Sequence, residues 1–258
     1  MIHDPAVCFL GRNPAKHYAK TLKLGNYLAP ELPTPPASKV WSDAVQTWGQ
    51  MLNNSEGDCV IAGGGHHHLL RTTLAGKPDM PTDAQVQAAY IAITGQEGAA
   101  YDPATGANDN GCALEDALNY FRKSGQIGAY ASVNPTNLDH IRFTIDAFEG
   151  CYVGVALPIS AQNQDVWDVS DPSLTGDAAA GSWGGHCVLL VNYDADGFTC
   201  VTWGQTKKLT LAWWLAYANP QTAGGEAYAI ITPELLDGTG KVPSGFDLAA
   251  LQADLAAL

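Results

Sequence analysis

The spacing of apolar residues along this 258-residue chain changes near its middle, from a helical period to strand-like runs. Residues 59–75, Cys-Val-Ile-Ala-Gly-Gly-Gly-His-His-His-Leu-Leu-Arg-Thr-Thr-Leu-Ala, predict a helix with Asp58 as its N-cap side chain. Three interior glycines cost roughly 0.5–1 kcal/mol each relative to alanine, so they mark close packing or a kink. Thr82 and Gln85 form a capping box ahead of Val86, Ala89, Tyr90 and Ile93. After a polar loop at 102–111, Leu114, Leu118, Tyr120 and Phe121 give a third helix that stops at Gly125.

From Ile127 onward the run Ala-Tyr-Ala-Ser-Val reads as a strand, and residues 137–148 as a helix with Leu138, Ile141, Ile145 and Phe148 on one face. Strands follow at 151–157, 186–193, 198–203 and 226–232, with residues 194–197 turning a hairpin between the central pair. A helix around 209–218 interrupts them. Leu248, Leu251, Leu255 and Leu258 give the tail a docking face at helical spacing. The proline-rich stretch 29–36 is extended over the surface, and the polar connection 159–183 is long enough to act as a substrate-binding flap. The pattern divides the chain into an extended N-terminal segment (1–56) wrapping the domain, a main domain (57–235), and a linker with docking helix (236–258). The class is α+β: helices first, an antiparallel sheet second, and a cleft between the two halves.

A formal charge of −13 and a pI near 4.7 argue against binding a phosphate backbone or an anionic membrane. No apolar run approaches the roughly 18 residues of a membrane span, and the first residues lack the charged and apolar regions of a signal peptide. Synthesis in the cytoplasm is expected, with virion association or export by a non-classical route left open. The six cysteines, Cys8, Cys59, Cys112, Cys151, Cys187 and Cys200, show no CxxC spacing, so no zinc site is expected, and most read as small buried hydrophobes.

Cys59 differs from the rest through its neighbours. Gly57-Asp58-Cys59 enters a helix, and Gly184-Gly185-His186 opens a strand. Backbone N–H groups at a helix start, together with an imidazolium, lower a thiol pKa, and the thiolate is the nucleophile. His186 serves first as base, then as the acid that protonates the leaving amine. Asp58 opposes thiol ionisation unless its side chain turns to cap the helix. This chemistry calls for no cofactor and no metal. His66, His67 and His68 project about 100° apart on a helix and do not converge on one ion. The acidic loop with Asp102, Asn108 and Asp109 lacks the spacing of a calcium loop. Most of Trp167, Trp183, Trp203, Trp213 and Trp214 belong to the core or cleft wall, with Trp183 placed to cover a substrate side chain.

The order Cys then His, a helix beginning at the cysteine, and the hairpin His-Cys-Val-Leu-Leu-Val-Asn-Tyr-Asp-Ala-Asp-Gly-Phe resemble the papain-like cysteine peptidase superfamily. The resemblance spans roughly 50–235 and extends to the bacteriocin-processing branch and to phage and bacterial members. It implies a two-part α+β fold with the site in the cleft. It also implies an amide donor six residues before the nucleophile, where this chain has Asn53, and an asparagine or aspartate on the strand after the histidine. That strand, Phe198-Thr-Cys-Val-Thr-Trp-Gly-Gln205, has neither; with Tyr193 opposite Phe198, Gln205 falls across from His186, and Thr202 would replace it only if a bulge shifts the register.

Three functions follow as expectations. One is a peptidase or amidase using Cys59, His186, Asn53 and Gln205 on a peptide or protein substrate. Another is a catalytically degenerate papain-like protein with a structural or interaction role in a phage or extracellular assembly. The third is a transferase in which an amine resolves the acyl-enzyme. Oligomeric state is not legible.

Overall fold

The computed structural model describes residues 5–16 and 18–257. Three helices lead: α1 (Cys59–Leu74), α2 (Asp83–Glu97) and α3 (Leu114–Lys123). The Thr82–Gln85 capping box is formed in both directions at the start of α2. The interior glycines leave α1 unbroken and serve close packing. A Cβ on Gly63 would press on the Tyr152 ring and the Cys187 sulfur, and one on Gly64 would collide with Phe121.

The sheet is not confined to the second half. It comprises β1 (Lys39–Val40), β2 (Ala129–Val133), β3 (Cys151–Leu157), β4 (Val166–Trp167), β5 (Gly184–Tyr193), β6 (Gly197–Thr202), β7 (Gln205–Thr210) and β8 (Glu226–Ile231). Their order is β2-β8-β3-β5-β6-β7-β4, with β1 pairing the end of β5; only the β4–β7 pair is parallel. The helix expected from about 209 begins later. Residues 205–210 instead form β7, an edge-ward strand whose polar run Gln-Thr-Lys-Lys shows no apolar period, and Thr210 then caps α5 (Leu211–Tyr217) by accepting from Trp213 N–H.

Each face of the sheet carries its own core. Tyr152, Cys187, Leu189, Val201 and Tyr228 pack under α1, α2 and α3. Val153, Val155, Val188 and Leu190 face the other way, toward α4 (Leu138–Ala147), α5 and the buried indoles Trp167, Trp213 and Trp214. After the short α6 (Pro233–Leu236), the tail helix α7 (Leu248–Ala256) docks on its own chain: Leu251 is fully buried, and Tyr27 Oη donates to Asp254 at 2.7 Å. Leu258 lies outside the described residues. No helix among the described residues is long and apolar enough to cross a membrane.

Candidate active site

The turn that delivers Cys59 is fixed by Asp109. Both oxygens of that carboxylate accept the Gly57 N–H, at 2.9 and 3.0 Å, and Tyr90 Oη donates to Asp109 at 2.6 Å. Loop 102–111 is therefore a structural clamp on the helix start, with Asp102 closing its own turn through Ala104 N–H and Thr105 Oγ1. Asp58 stands at the N-cap position, but its side chain makes no cap hydrogen bond. It is fully buried, and burial, followed by the charge of Glu56, pushes its carboxyl well above the usual range, favouring the neutral acid.

Cys59, the first residue of α1, is 1% exposed. Burial pushes its thiol up to about 12; the Cys187 N–H directed at the sulfur pulls the other way, Asp58 adds to the rise, and the Gly11 N–H and Arg12 oppose it. Cys187 adjoins His186, so the helix end that carries the thiol abuts the strand that carries the imidazole. His186 is buried; its Nε2 lies 2.7 Å from Thr202 Oγ1, and its ring stacks on Trp203 with centroids 4.5 Å apart. Trp203 also packs tilted against Trp183 and edge-on to Trp167, and it holds a left-handed φ of 45° that is unusual for a bulky residue.

Gln205 is not beside His186. It is exposed and pairs across a tight turn with Thr202. Tyr193 does lie opposite Phe198, but the register slips by one between Leu190 and Asn192, and β6 ends at Thr202, where the chain turns through Trp203 and Gly204 into β7; the turn carries Gln205 away from β5, and the Thr202 hydroxyl meets the ring.

Asn53 is buried, and its Nδ2 donates to the carbonyl oxygens of Phe9 and Glu56, both at 3.2 Å. The Phe9 oxygen also accepts from Trp203 Nε1 at 3.1 Å. Residues 8–13 thus lie between the two walls of the site. Phe9 N–H bonds Asn53 O, Arg12 N–H bonds Gly185 O, and Gly11 and Asn13 bracket Cys112 through its N–H and C=O. The fit is close: a Cβ on Gly11 would collide with the Gly57 carbonyl, and one on Gly185 with the Arg12 carbonyl.

The histidine triplet splits three ways. His66 Nε2 meets Gly49 O at 3.0 Å, His67 Nε2 meets Phe148 O at 3.2 Å, and His68 Nε2 pairs with Asp79 at 2.9 Å. Burial lowers His66 and His67 to about 4, so both are neutral struts behind the nucleophile.

No family sequence model matches the chain, and no curated protein sequence does. Solved structures do. Xylellain, a cysteine protease from Xylella fastidiosa, superposes with a TM-score of 0.66 at 14% identity, over 88% of this chain and 97% of that one. Digestive procathepsin L 3 of Tenebrio molitor larval midgut gives 0.52 at 12%, over 88% and 76%. The Carica candamarcensis protease CMS1MS2, in complex with E-64, gives 0.51 at 14%, over 76% and 99%. The fold is papain-like.

Within this papain-like fold, two features escape sequence reasoning, the Trp203 stack and the passage of residues 8–13 through the cleft, while Thr202 enters it only as the alternative to Gln205 that a bulge brings. The trace of the second is the glycine content of Gly11, Gly57, Gly184 and Gly185.

Proposed function

We propose that this papain-like protein is a cysteine-dependent hydrolase of peptide bonds, with Cys59 as nucleophile, His186 as acid and base, and Asn53 as a donor to the oxyanion. The observation that carries this reading is the Phe9 carbonyl, a peptide oxygen gripped by Asn53 Nδ2 and Trp203 Nε1, two residues before the Gly11 N–H that faces the thiol. A site that seats one peptide carbonyl there is built to seat another. Thr202 holds His186 Nε2, and in this reading Nδ1 exchanges the proton with the sulfur. In the reaction His186 takes the Cys59 proton, and the thiolate adds to the substrate carbonyl. Asn53 stabilises the resulting oxyanion, a donor type whose loss costs about a hundredfold or more. Collapse breaks the C–N bond, and the imidazolium gives its proton to the departing amine. Water, deprotonated by His186, then adds to the thioester; the C–S bond breaks, releasing the carboxylic acid and restoring the thiol. With residues 8–13 in place the thiol is covered, so turnover requires their withdrawal.

The competing reading, a non-catalytic papain-like protein, is favoured by the uncharged Thr202 in the orienting role and by the thiol's burial. One experiment separates the two. In full-length Gly11→Ala, where the added methyl unseats the segment, alkylation of Cys59 is followed against pH by site-resolved mass spectrometry, with and without His186→Ala. An apparent thiol pKa well below about 8.5 that rises on removing His186 is the expected result. Slow labelling indifferent to His186 would sink the hydrolase.

A further inference from the structure

The side chain of Arg12 leaves the cleft-filling segment and enters a socket in the sheet wall. Its Nε and Nη2 both donate to Glu226 Oε1, at 3.0 and 2.8 Å, and Nη2 also donates to the Gly224 carbonyl. Both side chains are almost wholly buried, at 5% and 4% exposure. Gly154 of β3, paired with Glu226, forms the floor; a Cβ there would strike the guanidinium and the Glu226 side chain. Tyr228 Oη holds the other Glu226 oxygen at 2.8 Å and reaches the buried Glu115 at 3.0 Å. Beyond Glu226 lies a cavity of about 450 Å³, lined also by Glu115, Tyr228, Thr21 and Lys23.

A buried ion pair contributes little to stability on its own, because desolvation offsets the Coulomb attraction unless hydrogen bonds complete the shell. Here the shell is complete, but one member belongs to a segment that has to leave for Cys59 to react. When it leaves, the socket retains an oriented carboxylate and a carbonyl, shaped for a planar guanidinium. The backbone position matters as much: Arg12 N–H bonds Gly185, next to His186, and the adjacent Gly11 N–H faces the Cys59 sulfur. A side chain in this socket therefore belongs to the residue beside the one seated at the thiol.

From this geometry we infer that the groove filled by residues 8–13 is the substrate groove, and that Glu226 is its specificity residue, selecting peptides with arginine adjacent to the residue held against Cys59. The substrate class rests on the hydrolase reading above; the binding preference does not. Lysine carries a point charge that cannot make the paired contact with Glu226 and reach Gly224 together, so it ranks second, and a neutral isostere third.

The test uses the full chain carrying Gly11→Ala, and a synthetic peptide of residues 7–14 with either arginine or glutamine at the position of Arg12. Calorimetry is expected to show the arginine peptide binding at least about tenfold more tightly, and Glu226→Gln to erase that difference while leaving the glutamine peptide unchanged. Equal binding of the two peptides, or no binding of either, overturns the inference. Should Gly11→Ala not fold, full-length Arg12→Gln replaces it, with the readout being protection of Cys59 from alkylation by the arginine peptide but not by the glutamine one. Cleavage assays on the same pair separate the two proposals. Cleavage without arginine preference sinks the socket alone. Arginine-dependent binding with no cleavage of any peptide sinks the hydrolase and leaves the socket standing.

Discussion

The two ends of the cleft are assembled differently. The imidazole end is internal to one hairpin: His186 on β5, Thr202 at the end of β6 and Trp203 in the following turn fix one another by a hydrogen bond and a ring stack. The thiol end is completed by a remote segment, since Gly11 and Arg12 contribute to the environment of Cys59 and Phe9 takes up the Asn53 amide. Thr202 and Trp203 therefore stay with His186 on its own hairpin whether the cleft is open or filled, while the ionisation of Cys59 depends on which state is present. On the proposed reading, the segment acts mainly on the sulfur.

The largest effect expected from this asymmetry is on thiol reactivity. At pH 8 a thiol held at about 12 is ionised to roughly one part in 10⁴, against about a quarter for an ordinary thiol near 8.5. Gly11→Ala should therefore speed alkylation of Cys59 by about 10³-fold, measured site by site. Cys151, whose strand β3 pairs with β5 and β8, should be unaffected, whereas Cys8 leaves with the segment and Cys112 loses its backbone partners Gly11 and Asn13. No substitution at Thr202 or Trp203 should produce a comparable rise, and one that did would break the comparison.

The helix behind the thiol gives the next largest effect, on stability. His66 and His67 are neutral when folded, lowered to about 4 by burial, and titrate near 6.5 when unfolded. Between those values the unfolded chain binds more protons, so each histidine contributes stability that is present above about 6.5 and is lost as pH falls toward 4, on the order of 3 kcal/mol apiece. Asp58 and Glu149, raised by burial, act with the opposite sign, contributing stability that is lost as pH rises through their raised values. Replacing His67 by glutamine, which keeps a donor toward Phe148 O, should roughly halve the histidine part of the acid slope in urea unfolding at pH 7, 6 and 5. An unchanged slope would mean the helix is held by something else.

Much of the architecture was legible because it rests on local signals. The Thr82 capping box, the apolar faces of the helices and the long strands all act within a few residues, so the sequence displays them. The placement of Cys59 at the start of α1 and of His186 near the start of β5 was legible for a similar reason, since Gly57 precedes the one by two residues and Gly184-Gly185 precede the other. What stayed hidden depends on single-residue geometry or distant contact. A one-residue slip at Val191 and the turn at 203–204 put Thr202, not Gln205, against the His186 ring, and a bulge has no signature in an unbroken apolar run. Strand β7, as long as β6 and β8, was too polar to show a period. The Arg12–Glu226 pair joins residues 214 positions apart, and nothing near either residue announces it.

At the imidazole end the effects should be smaller and confined to turnover. Thr202→Val removes a neutral hydroxyl from Nε2 without opening a cavity, so the ring loses orientation but no charge partner. In the opened protein kcat should fall by about tenfold with KM little changed, and the acidic limb of the pH profile should move as the imidazolium loses its contact. Thr202→Asn, which offers an amide oxygen at that position, should recover activity to at least the level of the parent.

Trp203→Phe is the finest probe, because it separates the indole's two roles. The aromatic face that stacks on His186 survives, while the Nε1–H that grips the Phe9 oxygen is lost. If that N–H serves the segment's carbonyl alone, the variant should open more readily, with Cys59 labelling a few-fold faster in the otherwise unaltered chain and peptide turnover in the Gly11→Ala background unchanged. If it also reaches the substrate's carbonyl, labelling rises in the same way but kcat/KM falls by several-fold, without the change in pH profile expected of Thr202→Val. The two kinetic signatures distinguish a donor that serves the closed state from one that acts in both states, and so show whether the hairpin is as indifferent to the segment as its internal contacts make it.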